Sequence, residues 1–108
     1  MIIASKQKQV EKIKKYIENN SNLYNKLVIF GKCITDEGKD TDYLDVAVQT
    51  VDQSMADDND ALLDLFCAID DITEGLFDLT IINCQNNSSN TIKEINKGEV
   101  IYAQATTT

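Results

Sequence analysis

Two aspartates stand inside apolar runs: Asp45 in "YLDVAVQTV" and Asp78 in "LFDLTIIN". An ionised carboxylate among Leu, Val, Ile and Phe is costly unless a lysine, backbone donors or a metal satisfies it. Two carboxylates converging from neighbouring strands also repel each other, and a hard cation such as Mg²⁺ resolves that repulsion. Phosphoryl chemistry uses this layout, because the metal neutralises phosphate oxygens and positions an attacking hydroxyl. The plainer reading places both acids on the wet face of an open sheet.

The elements that must position these acids follow from periodicity. "SKQKQVEKIKKYIENN" (residues 5–20) predicts a helix, with Val10, Ile13 and Ile17 on one stripe, lysines elsewhere and Ser5 as N-cap. "NKLVIFG" predicts a buried strand stopped by Gly31. "YLDVAVQTV" predicts a second, with Leu44, Val46 and Val48 on one face and Tyr43, Asp45 and Ala47 on the other. "DNDALLDLFCAIDDITEG" predicts a second helix capped by Asn59 or Asp60. Its expected buried stripe is Leu62, Leu65, Phe66 and Ile69, with Cys67 in the core and Gly75 as the stop. "LFDLTIIN" is a third strand with Asp78 at its middle. "SSNTIKEINKG" is a short helix opened by Ser88 or Ser89 and closed by Gly98, and "EVIYAQ" is a last strand with an open edge through which two copies could pair. Residues 104–108 read as a frayed tail. The expected fold class is α/β (α+β): one domain over 1–108, with a mixed or antiparallel sheet of about four strands and helices packed on it.

Charge narrows the partners. Residues 1–32 carry seven lysines against two acids, whereas residues 33–108 carry three lysines against sixteen acids, for a net charge of −8. An acidic body repels bare nucleic acid, so no nucleic-acid partner is expected. A basic protein, or a nucleotide carried with divalent metal, fits better. There is no histidine, and Cys33, Cys67 and Cys84 have no CxxC spacing, which argues against the usual zinc sites and for a reducing compartment. With no membrane-length apolar run and no signal segment, the expected location is cytoplasmic. "DQSMADDND" lacks the glycine and terminal glutamate of a calcium loop and reads as an acidic loop.

The order and spacing of "VIFGK", "DYLDVAV", "LFDLTII" and "TIKEINKGEVIYA" resemble those of the minimal nucleotidyltransferases of the DNA polymerase beta-like superfamily. The resemblance covers about residues 5–103. It implies a Gly-Ser turn that holds a nucleoside triphosphate at a helix N-terminus, two metal-binding Asp two residues apart and a third Asp in a later strand. Carried over, Gly31 and Lys32 are the phosphate-binding positions, with lysine in place of the serine. Asp45 and Asp78 are the catalytic and metal-binding acids. The first Asp falls at Tyr43, while Asp42 is a metal ligand only if an irregular strand turns it inward. Lys32 could contact phosphate as a point charge or pair with Asp45 or Asp78.

Three readings follow. The first is a degenerate nucleotidyltransferase-like protein that binds a nucleotide or a helical partner protein encoded nearby, as an antitoxin does. The second is an active Mg²⁺-dependent enzyme that moves a nucleoside monophosphate onto a hydroxyl of a partner protein. The third is a small α/β interaction module that binds no nucleotide.

Overall fold

A computed structural model describes residues 4–31, 43–52, 59–84 and 88–104; for residues 4–6 and 59 it describes the backbone alone. The element order is α1 (Ala4–Asn19), β1 (Tyr24–Phe30), β2 (Tyr43–Thr50), α2 (Asn59–Ile72), β3 (Asp78–Asn83), α3 (Ser89–Asn96) and β4 (Glu99–Ala103). The four strands form one mixed sheet in the order β3-β2-β1-β4. β1 runs antiparallel to β2 and β4, and β2 runs parallel to β3. A parallel pair needs a crossover connection, and α2 supplies it. β4 is an open edge strand, as expected.

Alternation along the strands divides the core in two. Leu27, Ile29, Leu44, Val46, Val48 and Leu79 face α1 and α2 and join Val10, Ile13, Ile17, Leu65 and Ile69 in the larger cluster. Burying each such aliphatic side chain fully contributes about 1.5–3 kcal/mol relative to leaving it in water. Val28, Phe30 and Ala47 point the other way and meet Ile95 of α3. The α1 stripe of Val10, Ile13 and Ile17 is buried as expected.

α2 differs from its expected packing. Leu65 and Ile69 are buried and Leu62 and Ile72 are partly so, a stripe at spacings of three and four. Phe66 and Cys67 turn outward. The reason is rotational: at about 100° per residue, Phe66 lies about 80° and Cys67 about 180° from the axis of a stripe centred on Leu65 and Ile69. The helix begins at Asn59, so its cap position lies outside the described residues and Asn59 and Asp60 fall in the first turn. Likewise α1 begins at Ala4, so Ser5 lies within the helix instead of capping it. Gln104, expected in the tail, is instead tied to β1, its N–H donating to Asn25 O at 2.8 Å, and residues 105–108 lie outside the described residues.

Two helix ends matter for the site. α2 closes with Gly75 N–H donating to Asp70 O at 2.9 Å and Glu74 N–H donating to Asp71 O at 3.1 Å, the paired bonds of a Schellman ending. The left-handed residues are Glu74 (φ 59°) and Gly75 (φ 66°). Buried Thr73 secures the same turn by donating from Oγ1 to Ile69 O at 2.9 Å. α3 opens as expected on Ser88, whose Oγ accepts from Thr91 N–H at 3.3 Å. It ends at Gly98, where a Cβ would stand 2.5 Å from Ile29 O and 2.8 Å from Phe30 Cβ. Gly98 thus lets α3 lie against the end of β1.

Two substitutions test these endings by thermal or denaturant unfolding. Glu74→Gly removes a left-handed non-glycine residue and is expected to stabilise by about 0.5–1 kcal/mol. Gly98→Ala pushes a methyl group into β1 backbone and is expected to destabilise by about 1–3 kcal/mol.

Candidate active site

The two strand acids meet at one rim of the sheet. In the antiparallel pair Phe30 lies opposite Asp45, and in the parallel pair Tyr43 lies opposite Asp78 and Asp45 opposite Thr80. Residues paired this way point to the same face, so Tyr43, Asp45, Asp78 and Thr80 share the α3 side. Asp45 and Asp78 are diagonal neighbours, roughly 8 Å apart between Cα atoms from the usual strand spacing and rise. Farther along the same face, Val28, Ala47, Ile82 and Cys84 close over with Ile95. The carboxylates therefore border an apolar floor without being inside it.

Their environments differ. Asp45 is half-buried and Asp78 is exposed. The sequence places Asp78 at mid-strand, but β3 starts at that residue. Leu76 and Phe77 are used in leaving α2, with Leu76 N–H donating to Thr73 O at 3.2 Å, so Asp78 stands at the solvent end of its strand. The desolvation cost expected for both acids thus falls mainly on Asp45.

Gly31 is shaped by Asp45. Its φ is +76°, and a Cβ there would overlap Asp45 Oδ2. Only glycine both turns the chain out of β1 and leaves room for the carboxylate. The Asp45 carboxylate rests against the glycine that ends β1. Lys32 and Asp42 lie outside the described residues, as do Cys33, residues 53–58 and residues 105–108.

From Tyr43 to Val48, β2 pairs with β3 residue for residue without a register shift. Tyr43, 44% exposed, therefore stands two residues before Asp45 on the site face, directly across from Asp78. Thr80 is the neighbour that sequence reasoning missed. It is exposed and opposite Asp45, and its one signal is the two-residue step from Asp78 in "DLT". The donors on the rim are all oxygens, a set that suits a hard divalent cation. Among the described residues no three His, Cys, Asp or Glu side chains cluster closely enough to hold a metal. Asp45 and Asp78 supply two carboxylates to this rim. Cys84, at the apolar end of this face, has its thiol pushed up mainly by burial, with Lys26 acting in the opposite sense. No helix among the described residues is long and apolar enough to cross a membrane.

A mixed sheet with a strand-ending glycine under one acid and a second acid on the next strand defines a nucleotidyltransferase-like domain. The chain belongs to the polymerase beta nucleotidyltransferase family, whose model matches residues 11–107. It is similar in structure to the MntA–HepT toxin–antitoxin complex, with 18% identity and a TM-score of 0.67 over 91% of this chain and 73% of that one. A variant of that complex, with two aspartates two positions apart changed to glutamate, matches at 17% identity and a TM-score of 0.67 over 87% and 72%. A toxin–antitoxin structure with AMP-PNP matches at 18% identity and a TM-score of 0.70 over 87% and 73%. At these identities the likeness shows the fold. No curated protein matches the chain.

Gly31→Ala is expected to lower stability by about 1–3 kcal/mol, from the left-handed φ and the overlap with Asp45 together. Unfolding experiments measure the loss. The amide resonances of Asp45 and Phe30 should shift in the folded variant while those of α1 stay in place.

Proposed function

We propose that this chain is a degenerate nucleotidyltransferase that binds instead of transferring. Its ligands are a nucleotide at the Gly31–Asp45 rim and a helical protein partner, in the manner of an antitoxin. The carrying observation is the unbroken β2–β3 register, which gives the place across from Asp78 to Tyr43 and not to an acid. A two-metal transfer site depends on its number of carboxylate ligands, and an aromatic at this place removes one.

The remaining residues have roles suited to binding. Gly31 leaves backbone open to an incoming phosphate, and Lys32 supplies a point charge to it. Asp45 and Asp78 can hold one Mg²⁺ carried in with the nucleotide, and that ion neutralises phosphate oxygens when bound. Thr80 adds a hydroxyl beside Asp45. Tyr43 offers an exposed ring edge and face for stacking on a base. The similarity to toxin–antitoxin structures, one of them with AMP-PNP, supports both ligand classes.

The test is incubation with each of the four labelled nucleoside triphosphates, Mg²⁺ or Mn²⁺, and cell lysate. The expected result is no label transfer to protein, with AMP-PNP binding still measurable by calorimetry. Transfer that is abolished in both Asp45→Asn and Asp78→Asn would establish an active enzyme and overturn the degenerate reading. Absence of nucleotide binding with and without metal would leave the protein-binding role alone.

A further inference from the structure

We propose that the outer face of α2 is a docking surface for a basic amphipathic helix of a partner protein. A surface helix ordinarily turns polar residues to water. α2 instead exposes Leu63 (59%) and Phe66 (36%), with Cys67 also exposed, at the i, i+3, i+4 spacing that forms a ridge for another helix. Leu76, just past the helix end, is also 59% exposed. Residues 59–76 contain Asp60, Asp64, Asp70, Asp71 and Glu74 and no lysine or arginine. At about 100° per residue, Asp60, Asp64 and Asp71 fall along one flank of the apolar ridge, and Asp70 falls on the line of the ridge one turn beyond Phe66. The occupant must therefore carry both an apolar ridge and cations beside it.

That combination selects among occupants. Nucleic acid supplies neither and is repelled. A second copy of this chain could offer the lysines of α1, but the apolar stripe of α1, Val10, Ile13 and Ile17, is spent in its own core. A separate protein presenting an amphipathic helix with Lys or Arg along its apolar edge satisfies both demands. This deepens the partner-binding half of the function proposed above and rests on it.

The test follows amide chemical shifts of the isotope-labelled full chain during titration with three synthetic peptides of about 18 residues, long enough to be helical. One is a Leu/Lys amphipathic helix, one a Lys/Gln peptide of the same charge, and one a Leu/Glu amphipathic helix. The Leu/Lys peptide alone should shift the amides of residues 60–76. The double variant Leu63→Ser, Phe66→Ser should weaken that response by ~tenfold or more. Because Phe66 is only 36% exposed, the single variant Leu63→Ser, at a position 59% exposed, serves as the folding control, with a near-unchanged thermal transition and a response weakened in the same direction. An equal response to the Lys/Gln peptide, shifts confined to α1 or β4, or no response would overturn the proposal. So would loss of self-association in the double variant, which would assign the face to a second copy. A parallel AMP-PNP titration reads Tyr43, Asp45 and Asp78, so failure at the nucleotide site is seen separately from failure at α2.

Discussion

The Asp45 carboxylate rests against the backbone of Gly31, and much of the molecule is arranged around that close approach. It requires a glycine with positive φ at the end of β1, and antiparallel pairing that puts Phe30 opposite Asp45. The same register sends Val46 and Val48 into the larger core and Ala47 toward α3. A one-residue slip would move the acid into the α1–α2 core and expose the valines, so packing on both faces fixes the carboxylate in place. Gly98 continues the constraint from the other side, since α3 can lie on β1 only where no side chain intervenes.

β2 is the central element in a second sense. It pairs antiparallel with β1 and parallel with β3, and the parallel pair brings Asp78 to the rim. The two acids are held differently: one by packing and the glycine turn, the other at the exposed start of an edge strand. The rim thus pairs a half-buried acid with an exposed one. Tyr43 stands across from Asp78, which supports the binding role proposed above. Five of the ten lysines sit on α1, whereas sixteen of the eighteen acids follow residue 32, so the two charges are unevenly distributed along one small scaffold.

Much of this arrangement was legible from the sequence because the periodicities are strong. The face assignments in "YLDVAV" and the α1 stripe need only strand and helix geometry, and the family pattern is carried by Gly31, Asp45 and Asp78 at their spacings. What was not legible depends on tertiary detail. Phe66 and Leu62 are equally apolar in the sequence, and only packing against the sheet decides which turns inward. The depth of Asp78 depends on how many residues the α2 ending consumes, and Glu74 in a left-handed conformation is not a signal that sequence rules anticipate. The role of Gly98 is a distance to another strand, which no local pattern encodes.

Mn²⁺ titration of the full chain, followed by calorimetry and by paramagnetic broadening at Asp45, Thr80 and Asp78, tests the central claim most directly when wild type is compared with Tyr43→Asp. If Tyr43 occupies a vacated ligand place, the wild type binds one ion weakly and the variant binds at least about tenfold more tightly, because an added carboxylate raises both ligand number and charge. Two ions bound by the wild type as tightly as by the variant would contradict the account, and would mean that the rim already holds a full set of ligands.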